Sequence, residues 1–120
     1  MNAAAMLQSI KSHPDYHRAG MVLCHNGVVR ATSRDGRKVS GLSVAVDHDR
    51  LKTILNRARQ TPGIVDVQVD IAADRNLSVG DDVMVLIVAG DIRENVIRTL
   101  EKTLTDIKTT VTSKTEYFID

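Results

Sequence analysis

The chain has 120 residues, of which 16 are Lys or Arg and 15 Asp or Glu, for a net charge of +1. That length supports one domain with a single modest core, and the charge balance argues against a nucleic-acid partner held by bulk charge. At 42% hydrophobic and 26% charged, the composition is that of a folded chain, not a disordered one.

Tyr16, Tyr117 and Phe118 are the only aromatic residues. The core is therefore expected to be Val, Ile, Leu, Ala and Met, and aromatic platforms for stacking bases are effectively excluded. Cys24 is the single cysteine, which permits neither an internal disulfide nor a cysteine-cluster zinc site. The opening MNAAAMLQSIK is not a signal peptide, lacking a basic leader and a long apolar run. The longest apolar stretch, Val83 to Ala89, is seven residues, far short of a membrane span. A soluble, cytoplasmic protein that meets neither membrane nor nucleic acid is expected.

Residues 2 to 12 predict a short helix that stops near His13-Pro14, because proline disfavours helical geometry in the residue before it. Met21 to Arg30 reads as a strand, Ser33-Arg34-Asp35-Gly36 as a turn, and Val39 to Val46 as a second strand, together predicting a hairpin. Asp47 and Asp49 precede an amphipathic helix carrying Leu51, Ile54, Leu55 and Ala58, which Pro62-Gly63 ends. In Ile64 to Ile71, Val65, Val67, Val69 and Ile71 alternate with Asp66, Gln68 and Asp70, which predicts a half-exposed strand. After a turn at Ser78 to Asp82, the apolar run Val83 to Ala89 reads as a central strand buried on both faces. Asp91 to about Val111 predicts the longest helix, with Asp91 as N-cap and Glu94 three residues on. Glu116 to Ile119 closes with a strand. The expected fold is one α+β domain over residues 1–120. A β-α-β-β-α-β order of ferredoxin-like type follows an N-terminal helix and strand. Residues 1–19 form an N-terminal extension to it.

Three stretches resemble the large, catalytic subunit of molybdopterin synthase. They are Gly27-Val28-Val29-Arg30 before a polar turn, Gly80-Asp81-Asp82 running into the apolar strand, and the helix opening at Asp91-Ile92-Arg93. Lys108 follows Arg93 by fifteen residues, the family's spacing to its first catalytic lysine, and Lys114-Thr115-Glu116 is similar to the family's W-K-x-E. The resemblance spans residues 20–118. It implies an α/β-hammerhead fold and conversion of cyclic pyranopterin monophosphate to the dithiolene of molybdopterin. Sulfur would come from the thiocarboxylated C-terminus of a small ubiquitin-like subunit. It further implies a central homodimer within a heterotetramer, no cofactor, catalytic roles for Lys108 and Lys114, and substrate binding by arginines. The chain departs from the pattern at Ile92, where the family has His, and at Ser113, where it has Trp. Its two lysines are six apart instead of seven.

The residues support an anion site on their own terms. Arg30, Arg34, Arg37 and Lys38 gather around one turn with only Asp35 opposing them, and arginine forks bind phosphate bidentately. Arg93 stands at a helix start, where free N–H groups favour an anion. Arg30, Arg93 and Arg37 are the expected substrate-binding set; the plainer reading of Arg34 and Arg37 is a wet turn tip. Lys108 and Lys114 suit acyl-transfer assistance, since neighbouring cations lower a lysine pKa. The plainer reading of Lys108 is an exposed cation at a helix C-terminus. His13, His17 and His25 read as structural or solvent-exposed, His48 as capping or exposed, and Cys24 as a small buried hydrophobe. On one continuous helix Arg93 and Lys108 lie roughly 22 Å apart, so a single ligand meets both only if two chains build the site. Two rival readings stand: a non-catalytic relative acting as a binding or assembly protein, and a ferredoxin-like module sensing a small anion.

Overall fold

The structure is a computed structural model and describes residues 2–119. Its framework is set by where the most apolar strand finds partners. β5 (Asp82–Gly90) is buried along almost its whole length and lies between β1 (Met21–Val28) and β3 (Ile64–Ile71), antiparallel to both. Paired on both edges, it satisfies its backbone without water, which lets an unbroken apolar run stand at the centre of the sheet. Val85, Ile87 and Ala89 face α1 (Ala3–Ile10), meeting Ile10. Met84, Leu86 and Val88 face the opposite way, onto Ile54 of α2 (His48–Arg59) and onto Val96 and Ile107 of α3 (Arg93–Thr110).

A second three-stranded sheet has β2 (Val39–Val46) at its centre, flanked by the two-residue β4 (Leu77–Ser78) and by β6 (Thr112–Phe118). Gly41 is where β2 and β4 come closest: a Cβ there would run into the Leu77 carbonyl. Val29, Leu42, Val44, Ala72 and Leu77 form the small core that ties this sheet to the first. The α+β class and the chain order match the sequence reading, with β4 added between β3 and β5.

Three local expectations are corrected. β1 and β2 form no hairpin ladder; the segment between them pairs with itself at an isolated Thr32–Lys38 bridge around the Ser33–Gly36 turn, where Gly36 takes φ +87°. β1 instead pairs with β5 and β2 with β6, because the buried strand requires partners on both edges. Val65 does not share a face with Val67, Val69 and Ile71. The β3 register slips between Ile64 and Asp66, and Val65 packs on the α1 side. A bulge of this kind reverses the alternation at one residue. Finally, the N-cap of α3 is Ile92, with no side-chain cap. Asp91 sits one residue earlier, its Oδ1 accepting from the Ile92 N–H at 2.6 Å and Asn95 Nδ2 at 2.9 Å. Those two donors hold its carboxyl below the usual range. At α2 the expected cap holds, with Asp47 accepting from the Arg50 N–H at 3.0 Å.

Candidate active site

Where the two sheets join, a cavity of about 330 Å³ opens between them. One wall is apolar: Leu42 and Val44 of β2, Ile71 at the end of β3, and Val83 and Met84 at the start of β5. The other is cationic. Lys108 reaches it from the last turn of α3, Lys114 from β6, and Arg34 from the turn after β1. α3 ends at Thr110 and β6 begins at Thr112, so a sharp corner folds the two lysines back toward one another. Ile107 and Val111, both buried, fasten that corner to the core. Lys114 alternates with Ser113 and Thr115 along β6, which puts it on the cavity side while Ser113 and Thr115 line a separate shallow depression.

The Arg34 turn is built by its neighbours. Ser33 is buried; its hydroxyl bonds the Asp35 carboxylate and its N–H donates to the Arg37 carbonyl at 2.9 Å. The Ser33 hydroxyl holds the Asp35 carboxyl below its usual range, so the turn keeps a fixed anion on its outer side. Arg34 is exposed on this turn, as expected of a turn tip, and also lines the cavity.

The remaining expected residues go elsewhere. Arg30 donates through Nε to the Thr32 carbonyl at 2.7 Å, bracing its own loop. Arg37 lies over the Phe118 ring at 3.6 Å, a cation–π contact between the turn and the end of β6. Arg93 is exposed at the far end of α3, its Nε 3.4 Å from a Glu94 carboxylate oxygen. Within the chain, then, Lys108, Lys114 and Arg34 share a cavity, and Arg30, Arg37 and Arg93 stand outside it.

His25 also lines this cavity, where the sequence reading took it for a structural or exposed residue. Leu23 packs on the α2–α3 side of the sheet, while Val22 and Cys24 pack on the α1 side. By strand alternation His25 falls on the same face as Leu23, toward the helix that carries Lys108. A histidine two residues on from the inward Leu23 of a strand was the available signal. Burial, with the Lys108 charge second, pushes its pKa down. Cys24, under α1, has its thiol pKa pushed up by burial. Among the described residues no group of three or more His, Cys, Asp or Glu side chains is placed to hold a metal, and no helix is long and apolar enough to cross a membrane.

The MoaE protein family profile matches residues 1–110. The chain belongs to the MoaE family. That membership supports a role in molybdopterin biosynthesis. Solved structures share the MoaE fold at low identity. MoaE from Burkholderia multivorans is 23% identical with a TM-score of 0.77, the match covering 100% of this chain and 84% of that one. Molybdopterin synthase from Staphylococcus aureus is 22% identical with a TM-score of 0.72, over 86% of this chain and 77% of that one. A protein–protein complex of subunits 1 and 2 of the molybdopterin-converting factor from Helicobacter pylori matches at 17% identity and a TM-score of 0.72, over 100% and 85%. No curated protein gives a significant match.

Proposed function

We propose that this chain is the large subunit of a molybdopterin synthase. In this reading it transfers sulfur from the thiocarboxylated C-terminus of a small ubiquitin-like subunit to cyclic pyranopterin monophosphate, in the cytoplasm, with no cofactor of its own. The observation that carries it is the convergence of Lys108 and Lys114 on one cavity with Arg34. These lysines are the two for which the resemblance to the family implies catalytic roles, and they come from different elements to reach the same space.

In this role Arg34 and the lysines hold the substrate's phosphate and the developing negative charge of the thiocarboxylate carbonyl, since fixed cations in a partly dry site stabilise charge more than water does. Lys114 keeps Glu116 at 3.9 Å, which orients its ammonium. The apolar wall of Leu42, Val44 and Ile71 excludes water from a thioester-like intermediate. Arg93, with Arg30 and Arg37 as lesser candidates, binds substrate from a second protomer in a homodimer whose ends each carry a small subunit. Reconstitution tests the reading: the purified chain, the thiocarboxylated small subunit and cyclic pyranopterin monophosphate, with dithiolene as the readout. Product above the small-subunit control is expected. Absence of product, with correctly folded protein, refutes catalysis.

One observation favours a second reading. Ile92, in place of the family's histidine, is 53% exposed and its side chain makes no capping bond, and Ser113 stands where the family has Trp. A non-catalytic relative would bind the small subunit without turnover, and the same reconstitution separates the two.

A further inference from the structure

The cavity carries a titratable side chain that the sulfur-transfer reading leaves unused. His25 reaches it from β1, and its Nε2 lies beside Gly27, 3.4 Å from where a Cβ on that residue would stand. α3 brings Lys108, β6 brings Lys114, and the turn after β1 brings Arg34. The cavity-lining residues of β2, Leu42 and Val44, and of β5, Val83 and Met84, are uncharged. The nearby carboxylates are engaged: Glu116 against Lys114 at 3.9 Å, and Asp82 by Asn26 Nδ2 at 3.0 Å. No carboxylate lines the cavity among the described residues.

Partial burial of the ring disfavours its charged form, and the Lys108 charge adds to that cost. An anion with two negative charges bound among these side chains works against that cost, because it attracts an imidazolium. We propose that His25 is a proton-coupled donor to the anion in this cavity: it is neutral beside Arg34, Lys108 and Lys114, and takes up one proton when a tetrahedral oxyanion of the phosphate-monoester class binds. The step is a protonation alone. A ring nitrogen gains a proton from solvent, the imidazole becomes imidazolium, and no bond of the anion is made or broken. The inference rests on reading the cavity as an anion site, and adds a residue that the family pattern does not contain.

By linkage, anion affinity then falls as pH rises from the His25 pKa of the free cavity to that of the bound state, by up to about tenfold per pH unit, and levels off above it. Inorganic sulfate is the cleanest probe, since it does not titrate near neutrality and any proton uptake belongs to the protein. Calorimetric titration with sulfate at pH 7, in two buffers of different ionisation heat, is expected to show proton uptake by the wild-type chain. His25→Gln is expected to bind sulfate more weakly and take up none. The His25 ring, followed by NMR in the wild-type protein, should titrate at higher pH with sulfate than without, which decides the matter even if the variant folds poorly. Sulfate binding with no proton uptake and an unmoved ring titration overturns this role for His25 and leaves the anion cavity standing. No saturable sulfate binding overturns both.

Discussion

Arg93 and Lys108 ride one unbroken helix, Arg93 at its first residue and Lys108 in its last turn. At ~1.5 Å per residue the two are about 22 Å apart along the axis, too far for one small ligand. If both serve one substrate, each site takes Lys108 from one protomer and Arg93 from its partner. Arg93→Ala and Lys108→Ala should then each lose activity alone. A mixture refolded together should recover about a quarter of wild-type turnover, because half the dimers are mixed and each holds one intact site. Turnover no greater than that of the two separate variants would refute the two-chain site.

Lys108 and Lys114 are both solvent-exposed at their own positions yet meet at the cavity. Their replacement should separate activity from folding. Lys108→Ala and Lys114→Ala are each expected to lower dithiolene formation by about 10²–10⁴-fold, the range typical of a lost acid–base or electrostatic group. Each should leave stability within about 0.5 kcal/mol, as exposed substitutions do. Small-subunit binding by a pull-down and urea midpoints would check this, and a large loss of stability would mean the lysines act through the fold.

What could be read in the sequence was whatever local pattern decides. The seven-residue run Val83 to Ala89 announced a doubly buried strand, Asp47 announced a helix cap, and Gly36 a turn with positive φ. What escaped was decided at long range. Adjacent strands and a good turn suggested a hairpin, but β1 goes to a strand some sixty residues on, because β5 must be paired on both edges. The bulge at Val65 leaves no trace in an alternating string. The two lysines could be named from a family pattern, whereas Arg34 and His25 join them only through the meeting of two sheets. Of the arginines expected to bind substrate, Arg30 bonds the Thr32 carbonyl through Nε and Arg37 lies over Phe118, partners set by the loop's final path.

The corner that brings the lysines together depends on Ile107, which is fully buried between α3 and the central strand. Ile107→Ala should cost about 2–5 kcal/mol, the usual loss for a large aliphatic in a packed core. The cost would appear as a lower urea midpoint with an unchanged slope. In whatever fraction stays folded, Lys108 should be displaced with its helix end, so activity should fall further than the loss of folded protein explains.

Near the start of the same helix, Gly63 sits at φ +86°, and a Cβ there would lie 2.5 Å from both Asp91 Oδ1 and Asn95 Nδ2. Gly63→Ala therefore combines an unfavourable backbone with disruption of the contacts around Asp91. A loss of more than about 1 kcal/mol is expected. Equal stability of the two proteins in urea would show that the Asp91–Asn95 pair shifts freely.

Stability should also respond to His25. Burial and the Lys108 charge depress its pKa in the folded chain below the ordinary value, near 6.5, that it keeps unfolded. Between the two values the unfolded chain binds more protons, so folding stability rises with pH there. The contribution is present above about pH 6.5 and is lost as pH falls through the folded value. Asp91 and Asp35, with carboxyl pKa values also held down, lose their contributions lower, within and below the carboxylate range. His25→Gln should therefore flatten the stability–pH curve just below pH 6.5 while leaving the steeper acid limb in place. Urea midpoints measured at half-unit steps from pH 7.5 to pH 4 would read both limbs. An unchanged upper limb would mean that the ring titrates as freely in the folded chain as in the unfolded one. Saturating sulfate should raise the wild-type curve more at low pH than at high, since the bound anion favours the protonated ring, and should lose that asymmetry in the variant.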